Sequence, residues 1–159
     1  MLGSPEHDGG SDLVGVLAGL AQSHDPRVRQ ALTALFLVRP DLATAAPQAA
    51  AALPASARDR LIYAYIAAVY LQRLWWTRWR RYLGDVPLLP PLWIDELALP
   101  APHERFGKAG LVALAARTGG RRGATTPQMG PYLKVGQRLF GQLLAERAAA
   151  SAQPREALR

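Results

Sequence analysis

The residues of this chain best placed for chemistry are the tryptophans and arginines of Trp75-Trp76-Thr77-Arg78-Trp79-Arg80-Arg81. A guanidinium grips carboxylate or phosphate with a planar fork, and an indole offers a face on which a base or a cation stacks. Together with Arg73, the cations Arg78, Arg80 and Arg81 form a candidate surface for an acidic or phosphate-bearing partner. Trp76 is its candidate anchor, because Trp and Arg are enriched where binding energy concentrates. A competing reading takes Trp75, Trp76 and Trp79 as core and the arginines as a solvated rim. Catalytic constellations are missing from the pattern. His7, His24 and His103 have no ligand spacing between them, His103-Glu104 lacks the second His of a zinc-peptidase motif, and Asp95-Glu96 point apart on any helix. No phosphate-loop glycine pattern and no nucleophile elbow occurs. The expectation is a protein without enzymatic activity, metal or cofactor.

A second basic cluster, Arg117 with Arg121 and Arg122, lies among Gly119, Gly120 and Gly123. It resembles, in outline, the arginine-glycine segments that contact RNA. Arg105 and Lys108 would extend that face if their helix packs beside the Trp-bearing one. Seventeen Arg and two Lys oppose twelve acids for a net charge of +7. Four of those acids, Glu6, Asp8, Asp12 and Asp25, stand before the first base, Arg27, so the remainder is more basic than the average. Such a field favours an acidic protein, nucleic acid or an anionic membrane surface as partner. Without cysteine there is no disulfide framework or thiolate chemistry, and without a basic n-region there is no secretory signal, so a cytoplasmic location is expected. The longest apolar run, Leu61 to Leu71, is too short to span a bilayer, and Gln72-Arg73 closes it.

These side chains need a frame, and the composition names it. Ala and Leu, the strongest helix formers, number 29 and 25, while β-branched residues are scarce. The fold class expected is all-α: a single-domain bundle of five or six helices, spanning residues 12–150, around one long central helix. Residues 1–11 read as a flexible lead-in and 151–159 as a fraying tail. Helices are expected over Asp12–Ala21, from Asp25-Pro26 to Val38, and over Asp41–Leu53 with an interruption near Pro47. The central helix should run from Ala57 to Leu83, opened by a capping box at Ser56 to Asp59 and closed by Gly84; that is about 27 residues, or roughly 40 Å. Its core stripe, Leu61, Tyr65 and Ala68, continues through Trp75, Trp79 and Leu83 on a helical wheel. Five prolines between Asp85 and Pro102 then forbid a long helix and predict a strap with a short turn at Leu92–Leu97, anchored by Leu88, Leu89, Trp93 and Leu97. A helix over His103–Arg117 and one from Pro131 to Ala150 complete the set, on either side of a glycine-rich loop.

Asp25-Pro26-Arg27-Val28-Arg29-Gln30-Ala31-Leu32 resembles the opening of a HEAT-type helical repeat, with its Asp-Pro, Val-Arg and apolar positions. One copy covers about thirty residues, and no second follows at the repeat period of about 40. The resemblance implies a protein-binding helical scaffold and no catalysis. The leading expectation is therefore an interaction protein taking an acidic or mixed partner through the Arg/Trp surface. The alternatives are RNA or single-stranded nucleic-acid binding, and attachment to a membrane surface.

Overall fold

Asp25 and Pro26 show how local chemistry starts an element in this chain. The Asp25 carboxylate accepts the Arg27 amide at 2.8 Å and Pro26 fills the first helical position, so the orphan donors of the helix start are answered on the spot. The computed structural model in which this is seen describes residues 8–119 and 130–152, and among them there are helices and loops but no strand. The architecture is an all-α bundle. Its first helices are α1, Asp8–Gln22; α2, Pro26–Val38; and α3, Ala46–Ala51. Asp8 to Ser11 thus belong to α1 rather than to a lead-in. The expected 41–53 helix divides into a 3-10 turn, Pro40–Thr44, and α3, and Pro47 sits in the first turn of α3, where its missing N–H costs nothing.

Helix α4, Ala55–Leu74, runs through the middle and packs against α1, α2, α3 and two later helices, α6 (Lys108–Thr118) and α7 (Gly130–Ala152). Its residues from Tyr65 to Gln72 are buried without interruption, as an apolar run with no polar side requires. Two expectations for this helix are corrected. It starts at Ala55 behind Pro54 with no side-chain cap, leaving Ser56 and Asp59 exposed within the first turns instead of forming a capping box. It also ends at Leu74, and after Trp75 (φ −120°, ψ 34°) a separate helix α5 covers Trp76–Leu83. At the break the Leu71 carbonyl accepts both the Trp75 amide, at 3.1 Å, and the buried Trp79 indole N–H, at 3.0 Å. A side chain entering the ladder in this way is a recognised cause of a helix break. Gly84, at φ +75°, closes α5 with a bond from its amide to the Arg80 carbonyl.

The proline-rich strap follows, and α4 supplies what it lacks. Extended, proline-rich backbone has carbonyls without ladder partners, and buried carbonyls need donors. The Tyr65 hydroxyl donates to the Pro90 carbonyl and the Tyr70 hydroxyl to the Pro100 carbonyl, each at 2.7 Å. Gln72 donates through Nε2 to the Pro87 carbonyl at 3.1 Å and accepts the Leu89 amide at 2.7 Å. Leu89 and Ile94 are the fully buried anchors, while Leu88 is 49% exposed and so is not the anchor expected. Trp93 meets the Tyr65 ring edge-on, and the turn at Leu92–Leu97 closes with the Leu97 amide on the Trp93 carbonyl.

The expected His103 start of the next helix is also corrected. Glu104–Gly107 form a 3-10 turn in which Arg105, Phe106 and Gly107 all have positive φ, and α6 begins only at Lys108. Glycine is required at 107, because a Cβ there would meet the Tyr70 carbonyl. In α7, Gly136 lies against the Trp75 ring, and Ser151 and Ala152 are helical rather than frayed. The glycine-rich loop, with Arg121 and Arg122, lies outside the described residues, as do 1–7 and 153–159.

Candidate functional site

Eight residues set the character of α5. Trp76-Thr77-Arg78-Trp79-Arg80-Arg81-Tyr82-Leu83 places Trp79 and Tyr82 toward α7 and leaves Thr77, Arg78, Arg80 and Arg81 exposed. Phe140 of α7 is the pin between the two helices. Trp79 stacks on it with centroids 3.9 Å apart and planes 24° from parallel, while Trp75 and Tyr82 approach at 5.4 and 5.9 Å. The Arg78 guanidinium caps the same ring at 3.9 Å, a cation–π contact with its donors still facing water. Arg147 lies 5.4 Å from the Tyr82 ring centre and donates to the Arg81 carbonyl at 3.0 Å. One side of α5 is therefore joined to α7 through an aromatic cluster centred on Phe140.

The outward side is shallow and basic. Thr77, Arg80, Arg81, Gly84 and Asp85 line an open hollow of about 410 Å³. Arg80 is paired with Asp85 at 2.8 Å and lies 6.0 Å from the centre of the half-buried Trp76 ring. Among the described residues the Arg78 and Arg81 guanidinium groups form no ion pair. An incoming carboxylate or phosphate in the hollow can therefore be met by Arg81, and by Arg80 if it displaces Asp85, with Arg78 one turn back over the Phe140 ring. Exposed pairs of that kind are weak, so the Arg80–Asp85 contact is no large obstacle.

Of the other expected site residues, Arg73 and Arg117 are committed elsewhere, and Arg121 and Arg122 lie outside the described residues. Arg73 is half-buried and committed to the strap, donating to the Gln72 amide oxygen at 3.0 Å and to the Leu89 carbonyl at 3.3 Å. Burial lowers its pKa from the usual guanidinium value. Arg117 donates to the Leu97 carbonyl at 2.8 Å and ties the far end of the strap to α6. Both are better described as clamps than as free cations. Trp79 is buried, and Trp75, half-buried, packs on Phe140 and Gly136, so that Trp76, also half-buried, is the α5 indole that reaches solvent. Phe140 and Arg147 were missed as members of this region. Their spacing of seven puts them on one side of α7, which is the signal that could have found them.

Acid–base machinery is sparse in the described part of the chain. No three His, Asp or Glu residues come together as a cation site. Among the phenols, burial raises the Tyr70 pKa to about 12 and moves Tyr65 in the same direction. Both hydroxyls are spent on strap carbonyls. Compared with protein-family models, with curated proteins and with solved structures, the chain matches none of them.

Proposed function

We propose that this chain is a cytoplasmic, non-enzymatic helical interaction protein that takes an acidic or mixed partner protein on the outward side of α5. The observation that carries the reading is the exposed row Arg78, Arg80 and Arg81 on a helix whose Trp79 stacks on Phe140, with Arg78 over the same ring. Interfaces draw most of their energy from a few pre-ordered Arg and aromatic groups, since little side-chain freedom remains to be lost on binding. The single HEAT-like opening at Asp25 to Leu32 accords with a scaffold role. Nucleic acid is the weaker reading for this surface, because successive bases need several free rings, whereas Trp79 is buried, Trp75 is half-buried against Phe140 and Trp76 is itself half-buried. None of the described helices is long and apolar enough to cross a membrane.

The test compares the wild-type chain with the double variant Arg78→Glu, Arg81→Glu in affinity purification from the native host at physiological salt, with and without nuclease. A protein partner retained after nuclease and lost with the double variant is the expected result. Recovery that is identical for both chains, or that vanishes with nuclease, refutes the proposal; the second outcome selects RNA or single strands instead.

A further inference from the structure

The turn before α6 has a conformation that its sequence does not favour. Arg105 (φ 48°, ψ 38°), Phe106 (φ 55°, ψ 41°) and Gly107 (φ +85°) form a run of three left-handed residues, and only the last is a glycine. A bulky residue with positive φ is strained unless its surroundings hold it there, and such strain clusters at working sites. The fold determines the position of Gly107, which lies against the Tyr70 carbonyl and the Cβ of Arg73. It gives Phe106 nothing in return: the side chain is 79% exposed, the most exposed large apolar residue described, and it joins no aromatic contact. Arg105 and Lys108 on either side are also exposed. The nearest carboxylate in sequence, Glu104, accepts the Ala101 amide at 3.3 Å. Leu88, 49% exposed, belongs to the strap segment that Arg73 clamps through the Leu89 carbonyl, so a second apolar side chain flanks the same clamp.

We infer that this turn is a membrane-surface anchor: Phe106 enters the headgroup boundary of an anionic bilayer while Arg105 and Lys108 meet lipid phosphates. An exposed turn with one aromatic between two cations in sequence suits a deformable, negatively charged surface. Such a surface needs no preformed pocket, and apolar insertion and charge add there. A protein partner would have to supply a pocket rimmed with carboxylates. The inference is independent of the α5 reading, whose cations belong to another helix.

The full chain is co-sedimented with vesicles of phosphatidylcholine alone and of phosphatidylcholine mixed with phosphatidylserine, at low and at physiological salt. Binding is expected to require the anionic lipid and to weaken with salt. Arg105→Ala should weaken partitioning about fivefold, and Phe106→Gly about tenfold or more. Phe106→Leu should retain most of the binding. Phe106→Gly should melt no lower than wild type, because a ring 79% exposed has little packing to lose and glycine relieves the left-handed strain. Arg78→Glu with Arg81→Glu should leave vesicle binding within about twofold, since each cation acts on lipid only near its surface. Absence of vesicle binding, equal binding to neutral vesicles, or binding unaffected by Phe106→Gly overturns the anchor. So does a marked fall in melting temperature in that variant, which would make the ring structural.

Discussion

Replacing Gln72 by Met tests whether α4 holds the strap through matched donors and acceptors. The side chain is buried to 1% exposure and serves three partners: the Pro87 carbonyl, the Leu89 amide and the Arg73 guanidinium. Methionine keeps the length and most of the volume, so packing changes little. The loss is polar. Pro87 is exposed and its carbonyl can be rehydrated, whereas the Leu89 amide makes its bond in the interior and its residue is fully buried. An orphaned buried N–H costs about 1–3 kcal/mol. Arg73 keeps the Leu89 carbonyl but loses an acceptor in a half-buried setting, which adds about 1–2 kcal/mol. A total of about 2–5 kcal/mol is a large share of the roughly 5–15 kcal/mol by which a domain is stable. For a chain of this length it should lower the melting temperature by about 5–20 °C. Urea unfolding followed by both circular dichroism and tryptophan fluorescence measures it, with amide exchange at Leu89 as the local readout. A change below about 1 kcal/mol, with Leu89 still protected, would refute the claim that this amide network secures the strap.

Three further predictions test other parts of the fold. Tyr70 keeps its proton to about pH 12 when folded, against about 10 when unfolded. Its contribution is therefore complete below about pH 10 and is lost as pH climbs toward about 12; thermal melts across that window should fall steeply in wild type and less so in Tyr70→Phe. A Cβ at Gly136 would run into the Trp75 ring, so Gly136→Ala should cost about 1–3 kcal/mol and shift tryptophan emission to the red; unchanged emission and stability would mean that the α5–α7 contact is loose. Asp25→Ala should cost about 1 kcal/mol by uncapping α2. Ser56→Ala, at a site with no cap bond, should stay within about 0.5 kcal/mol, and equal losses at the two positions would restore the capping box that the fold lacks.

What the sequence determines by itself is local or periodic. Ala and Leu content sets the all-α class, Asp25-Pro26 starts α2, the apolar run from Leu61 makes α4 the buried axis, and the prolines after Asp85 stop the helices. Exposure of Arg78, Arg80 and Arg81 follows from the same periodicity. Tertiary structure decides everything that depends on a donor finding an acceptor far along the chain. Tyr65 and Tyr70 read as part of the apolar run, Gln72 as its end and Arg73 as a free cation until the strap, 15 to 30 residues away, brings carbonyls against them. The break at Trp75 belongs to the same class. A helical wheel assumes one unbroken ladder, whereas the Trp79 indole bond to Leu71 and the stack on Phe140 come from the packing of α5 and α7. Nor does any residue in Arg105-Phe106-Gly107 announce a left-handed run, apart from the glycine, whose backbone lies against Tyr70 and Arg73 only in the folded chain. Caps and periodicity act between neighbours and survive in an isolated segment, whereas pairing of buried polar groups exists only once the segments have met.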